Sequence, residues 1–184
     1  TAFPMNDVTS ILIGGKAGEG VKKAAQVLSA ELTRLYYSVF QQDDYPSLIK
    51  GGHNFSIVSF AQTPVYTAHL QIQLLISLDS RSYEQHYRDL VDTEASVHFF
   101  NADDTTPTAS DIPGLQIGIP FTSLLKKHNL TPHSLSVAAT ALAYCWLGWD
   151  DHLLDETIAN SYKRDAAIQA DFARSIWNLV KEQG

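Results

Sequence analysis

The sequence holds a single cysteine, Cys145, among 184 residues. One thiol cannot build an internal disulfide framework, nor an all-cysteine iron–sulfur or zinc site. Its place in the apolar stretch 138–149 reads as a buried, inert thiol. No apolar run approaches 18 residues, so no segment reads as a transmembrane helix, and the first residues lack a signal-peptide pattern. The expected setting is a reducing cytoplasm. Lys and Arg number 13 against 20 Asp and Glu, a net charge of -7 that disfavours a nucleic-acid surface. Low-complexity tracts are absent, and 45% hydrophobic residues suffice to give one domain a real core.

Catalytic and metal-binding patterns are equally sparse. His98, His128, His133 and His152 are dispersed, and His69 and His86 fall on different expected elements. Zinc sites usually add cysteines or a close i, i+4 histidine pair, so no metal site is expected. No glycine-flanked serine matches a nucleophile elbow, and no Cys–His motif stands out. Asp43-Asp44 reads as a solvated or capping pair, and Trp146, Trp149 and Trp177 as packing residues. No complete catalytic apparatus is visible, and no catalytic residue is assigned.

What is present is a strand, a glycine-rich turn and a helix. The apolar run 8–13 reads as a buried strand and leads into Gly14-Gly15-Lys16-Ala17-Gly18-Glu19-Gly20-Val21. Beyond it, Val21, Ala24, Ala25, Leu28, Leu32 and Leu35 recur at the spacing of one helix face. This is the opening of a doubly wound α/β domain. Such a turn sets backbone N–H groups and a positive helix end at one spot, which suits an anion. A purely structural tight turn fits the same residues. Neither a dinucleotide fingerprint nor a P-loop is matched, since no frame sets the three fingerprint glycines and Gly20 is followed by Val21-Lys22.

Further strands are expected at 38–41, 54–60, 72–78, 96–101 and 115–119, with a short antiparallel return at 65–67. Helices are expected from the Asp79 or Ser80 cap to about 90, at 121–128, 134–147, 151–162 and 165–181. The predicted architecture is a Rossmann-like three-layer domain with a mostly parallel sheet and a helix-rich C-terminal end.

A second punctuated stretch, 42–54, contains Tyr45-Pro46-Ser47-Leu48-Ile49-Lys50-Gly51-Gly52-His53-Asn54. Lys50 beside two glycines, with His53 and Asn54 at a strand entrance, suits a phosphate, a carboxylate or a partner surface. A plain connecting loop is the alternative.

Together the two stretches resemble the gamma subunit, or gamma domain, of 2-oxoacid:ferredoxin oxidoreductases. The first is similar to that family's strand–(G/A)G-x-(A/G)GQGV–helix start, with Glu19 in place of the more usual glutamine. The second is similar to the Y-P-S-x-I-(R/K)-G-G-H-N segment of the 2-oxoglutarate-type branch. Residues 134–138 depart from the family's asparagine-containing helix start. The resemblance implies one gamma-type domain over residues 1–184, part of an enzyme performing coenzyme A-dependent oxidative decarboxylation of a 2-oxoacid. It implies alpha and beta subunits or domains as partners, ferredoxin as acceptor through the complex, and room for a homodimer. Thiamine diphosphate, magnesium and iron–sulfur clusters belong to the family's other parts. This chain agrees with that division, lacking the cysteines and a G-D-G…N-N stretch. Its own tasks would be assembly and, as a candidate ligand, coenzyme A. The implied site comprises Gly14, Gly15, Gly18, Gly20, Tyr45, Lys50, Gly51, Gly52, His53 and Asn54, on one polar surface at the C-terminal edge of the sheet. The alternatives are a free-standing Rossmann-like nucleotide- or cofactor-binding protein and a small independent hydrolase.

Overall fold

A computed structural model describes residues 7–44, 52–91, 94–107 and 114–183. The first strand, β1 (Thr9–Lys16), alternates its side chains between two apolar clusters. Ile11 and Ile13 enter the larger cluster, while Leu12 points to a smaller one on the opposite face. Helix α1 (Val21–Arg34) buries Val21, Ala24, Ala25, Leu28 and Leu32, the periodic face expected from the sequence. It ends where Tyr36 takes a left-handed conformation, φ 69°.

Strands β2 (Ser38–Asp44) and β3 (His53–Ala61) form an antiparallel pair, and β3 also pairs antiparallel with β1. Strands β4 (Leu74–Ser77), β5 (Val97–Asn101) and β6 (Leu115–Ile119) continue from β1 in parallel. The strand order is β2-β3-β1-β4-β5-β6, so β3 alone runs against the rest. β4 is central and fully buried, as its dense Leu and Ile content requires.

Helix α2 (Ser80–His86) covers one face, capped by Asp79, whose carboxylate accepts from the Ser82 amide. The expected helix to residue 90 instead tightens into a 3-10 turn at Tyr87–Asp89. On the other face lie α1 and the C-terminal helices: α3 (Phe121–Lys127), α4 (Leu135–Trp146), α5 (Asp151–Ser161) and α6 (Ala166–Gln183). α4 packs against α1, β4, α5 and α6, which explains why Leu135 through Cys145 are buried all round. Cys145 is buried and its thiol pKa is pushed up by that burial, which disfavours the reactive thiolate.

Three further expectations need correction. Residues 65–67 form no strand; the Val65 amide donates instead to the Ser38 hydroxyl at 2.9 Å, pinning the segment across the end of β2. β2 runs on to Asp44, because Asp43 and Asp44 still pair with Ser56 and Phe55. β1 likewise runs through Gly14 and Gly15, which pair with Phe55 and Asn54 and so belong to the sheet, not the turn.

Candidate functional site

The chain reverses after Lys16. The Ala17 amide donates to the Gly52 carbonyl at 2.7 Å, and the Glu19 amide to the Lys16 carbonyl at 3.0 Å. Gly18 and Gly20 take φ values of 95° and 77°, a region that side chains with a Cβ rarely enter. Gly20 caps α1 without any side-chain hydrogen bond. A Cβ there would lie 2.6 Å from Ser136 Cβ and 2.8 Å from the His133 carbonyl, so the turn is pressed against the entrance to α4.

The end of the second motif, His53 and Asn54, meets the first by strand pairing. β2 runs parallel to β1, and the segment after it returns as β3 with His53 opposite Lys16 and Asn54 opposite Gly15. Of the implied site residues, Tyr45, Lys50 and Gly51 lie outside the described residues. The remaining ones meet at the C-terminal edge of β1 but divide between the faces of the sheet. Gly18, Gly20 and Asn54 line a cleft of about 360 Å³ on the α1 face, together with Lys16, Lys22 and Lys23. Asn54 Oδ1 is buried and has no hydrogen-bond partner among the described residues. Gly15 faces the same side, where its absent side chain makes room for Glu19 and Val21.

Gly14 and His53 face the other side, against α2. A Cβ on Gly14 would come within 2.7 Å of Ser82 Oγ. His53 sits in a buried polar chain: Ser82 Oγ donates to Asp79 Oδ1 at 2.5 Å, His53 Nδ1 lies 3.5 Å from Ser82 Oγ, and His53 Nε2 meets His86 Nε2 at 2.8 Å. The chain ends at Asp89, whose carboxylate lies 3.6 Å from His86 Nδ1. Burial lowers the pKa of both imidazoles, so both are neutral near pH 7. One imidazole must donate Nε2–H and the other accept. Nearby, His98 is held down to about 4 by burial and shares a hydrogen bond with Ser77.

A larger cavity of about 530 Å³ lies beside the turn, where β1, β4 and β5 end. Leu78, Leu125 and Leu135 give it an apolar floor, and Asn101, Thr122 and Glu19 give it polar groups. Glu19 Oε1 accepts from the Lys16 amide, yet burial outweighs that bond and raises the carboxyl pKa to about 7. The neighbouring Asp79 and Asp104 push the same way. Near neutrality this carboxyl is therefore divided between a hydrogen-bond donor and an anion, in a pocket at the usual ligand edge of an open α/β sheet.

Sequence reasoning placed Glu19 in the motif without assigning it a role, and it treated His86 and His133 as isolated. Nothing local marks these two histidines. His86 reaches His53 across 33 positions, and His133 lines both clefts only because the turn at Pro132–Ser134 abuts Gly20.

Residues 10–174 match the family model described as pyruvate ferredoxin/flavodoxin oxidoreductase. The chain belongs to this family. The alpha subunit of a 2-oxoacid:ferredoxin oxidoreductase from Sulfolobus sp is 30% identical over 83 residues, covering 45% of this chain and 13% of that subunit. Its counterpart from Saccharolobus solfataricus is 29% identical over 83 residues, with the same coverage. The chain thus matches only 13% of the length of these curated relatives. Among solved structures, the fold is shared with the 2-oxoglutarate:ferredoxin oxidoreductase from Magnetococcus marinus, solved with 2-oxoglutarate, coenzyme A and succinyl-CoA bound. The TM-score is 0.81 at 17% identity, over 96% of this chain and 32% of that one. It is also shared with the keto/oxoacid ferredoxin oxidoreductase gamma subunit from Geobacter sulfurreducens PCA, with a TM-score of 0.73, 15% identity and 94% of each chain. For this pyruvate ferredoxin/flavodoxin oxidoreductase family member, the gamma-type fold expected from the two motifs is therefore the observed one. No helix among the described residues is long and apolar enough to cross a membrane.

Proposed function

We propose that this chain is a single gamma-type domain of a 2-oxoacid:ferredoxin oxidoreductase of the 2-oxoglutarate type, working in the cytoplasm. It takes no catalytic step itself. It holds alpha and beta subunits or domains in place and forms part of the approach for coenzyme A. The observation that carries this reading is the meeting of the first motif with Gly52, His53 and Asn54 of the second on one sheet edge, with Gly18, Gly20 and Asn54 around one cleft. Lys16, Lys22 and Lys23 on that cleft suit the phosphates of coenzyme A, and Asn54 Oδ1 offers an acceptor for a ligand N–H or O–H. Coenzyme A supplies the thiol that accepts the acyl group. The residues here bind and orient it. Thiamine diphosphate, magnesium and the iron–sulfur clusters reside in the partner parts, and electrons leave from those parts to ferredoxin.

The test is affinity purification from the native source, with the eluate assayed on 2-oxoacids, coenzyme A and an artificial electron acceptor. Co-purification of a thiamine- and iron-containing partner with coenzyme A-dependent turnover is expected. Lys50→Glu should weaken coenzyme A binding or subunit docking; unchanged affinity for both removes this site from the reading. A chain that comes out alone with a bound nucleotide would instead be a free-standing Rossmann-like binding protein, and turnover by the chain alone would restore an independent enzyme.

A further inference from the structure

A second basic cleft adjoins the first. It measures about 550 Å³ and lies between the first turn of α1, the turn at Pro132–Ser134 and the connection from α5 to α6. Lys23, Lys163 and Arg164 line it, with His133 at the boundary between the two clefts. Together the clefts gather Lys16, Lys22, Lys23, Lys163 and Arg164, five of the 13 Lys and Arg in a chain of net charge -7. The acidic residue lining them is Asp165. Lys23, Lys163 and Arg164 form no ion pair with any described residue, whereas Arg34 and Arg174 are both paired with carboxylates. Cations sharing one cleft raise its positive potential and draw an anion to it.

The cleft also has a rigid floor. Tyr162, with its hydroxyl tied to Ser136 Oγ and lying 3.4 Å from Thr140 Oγ1, lies under the Lys23 ammonium, 5.3 Å from ring to nitrogen. Gln169 donates from Nε2 to Ser134 Oγ at 3.0 Å, while its buried Oε1 has no hydrogen-bond partner among the described residues. The cleft therefore combines three cations outside any ion pair among the described residues with one lining carboxylate, Asp165, and a lining Gln169 whose Oε1 has no partner among the described residues. That combination suits a ligand carrying both phosphate oxygens and a hydroxyl.

We propose that this cleft is a second anion site, built for a phosphate-bearing small molecule held by Lys23, Lys163 and Arg164. It does not depend on coenzyme A occupying the glycine-turn cleft.

The test is equilibrium dialysis of labelled inorganic pyrophosphate against the full native polypeptide or complex at low salt. Lys163→Glu with Arg164→Glu should weaken pyrophosphate binding at least tenfold at this class of site. Thermal stability should hold, because both side chains are exposed. Rising salt should weaken binding to the native protein and leave little further to lose in the double variant. Equal affinity in native protein and double variant overturns the proposal, as does absence of binding. Loss in Lys16→Ala with Asn54→Ala, with full binding retained in the charge-reversed variant, would place the anion at the glycine turn. That result overturns this proposal while supporting the coenzyme A reading. Failure of pyrophosphate alongside capture of an acidic polypeptide would make the cleft a protein contact and likewise overturn it.

Discussion

His53 and His86, 33 positions apart, face each other Nε2 to Nε2 at 2.8 Å in a buried layer between β3 and α2. Only one proton fits between them, so the contact survives with one imidazole neutral and is lost when both are charged. It ties the start of β3 to the helix on the outer face, directly beneath the edge where the two glycine motifs meet.

That pair makes stability depend on acidity. Burial sets both folded pKa values below the ordinary 6.5, so the unfolded chain binds more protons as pH falls. The stabilising contribution is present above pH 6.5 and is lost as pH falls through the folded values. His98, held to about 4, adds to the same loss. In a Glu19→Gln background, which removes the opposing carboxyl, urea midpoints should fall steadily from pH 7 to pH 5. His86→Leu should cost about 1–3 kcal/mol at pH 7.5 by stranding His53 Nε2, and should show a shallower decline in acid.

Glu19 acts in the opposite direction. Its pKa rises from 4.5 unfolded to about 7 folded, so its stability is complete below pH 4.5 and is lost as pH rises through 7. The shift corresponds to roughly 3 kcal/mol at high pH. Glu19→Gln keeps an acceptor for the Lys16 amide and removes the buried charge. Chemical denaturation should find the variant more stable than the native chain at pH 8.5 and equal to it near pH 4.

The two left-handed glycines separate backbone strain from crowding. A Cβ on Gly18 meets nothing within 4 Å, so Gly18→Ala should cost about 1–2 kcal/mol from its φ alone. Gly20→Ala adds contacts of 2.6 Å to Ser136 Cβ and 2.8 Å to the His133 carbonyl. The backbone oxygen cannot swing aside, and the loss should exceed that of Gly18→Ala by at least about 1–3 kcal/mol. Equal melting temperatures for the two variants would contradict this.

Gly14 is crowded without strain. Its alanine would meet Ser82 Oγ at 2.7 Å and Ser82 Cβ at 2.9 Å, forcing α2 away from the sheet. Gly14→Ala should destabilise by about 1–3 kcal/mol. Ser82→Ala should not rescue it, because the Cβ contact stays; thermal melts of the double variant check this.

Much of this molecule is legible residue by residue. The face of α1 from Val21 to Leu32, the Asp79 cap, β6 at Leu115–Ile119 and the burial of β4 follow from periodicity, capping chemistry and apolar density. The site was less legible. Gly14 and Gly15 read as turn because glycine permits turns, but in a strand the missing Cβ serves close packing against Ser82 and Glu19. Residues 65–67 have strand-like composition, and the Ser38 hydroxyl takes the amide a ladder would need.

The sequence by itself determined most of the helices and strands and which family's two motifs it carries. Those depend on neighbours a few residues apart, and local sterics and periodicity act at that range. Tertiary structure alone decided that Asn54 joins the lysines on the α1 face while His53, one residue away, joins His86 on the other. Side chains alternate across a strand, so the antiparallel register of β3 on β1 assigns those faces, and a slip of one residue would exchange them. The meeting of Lys23 with Lys163 and Arg164, 140 positions further along, likewise exists only once α6 has docked on α4.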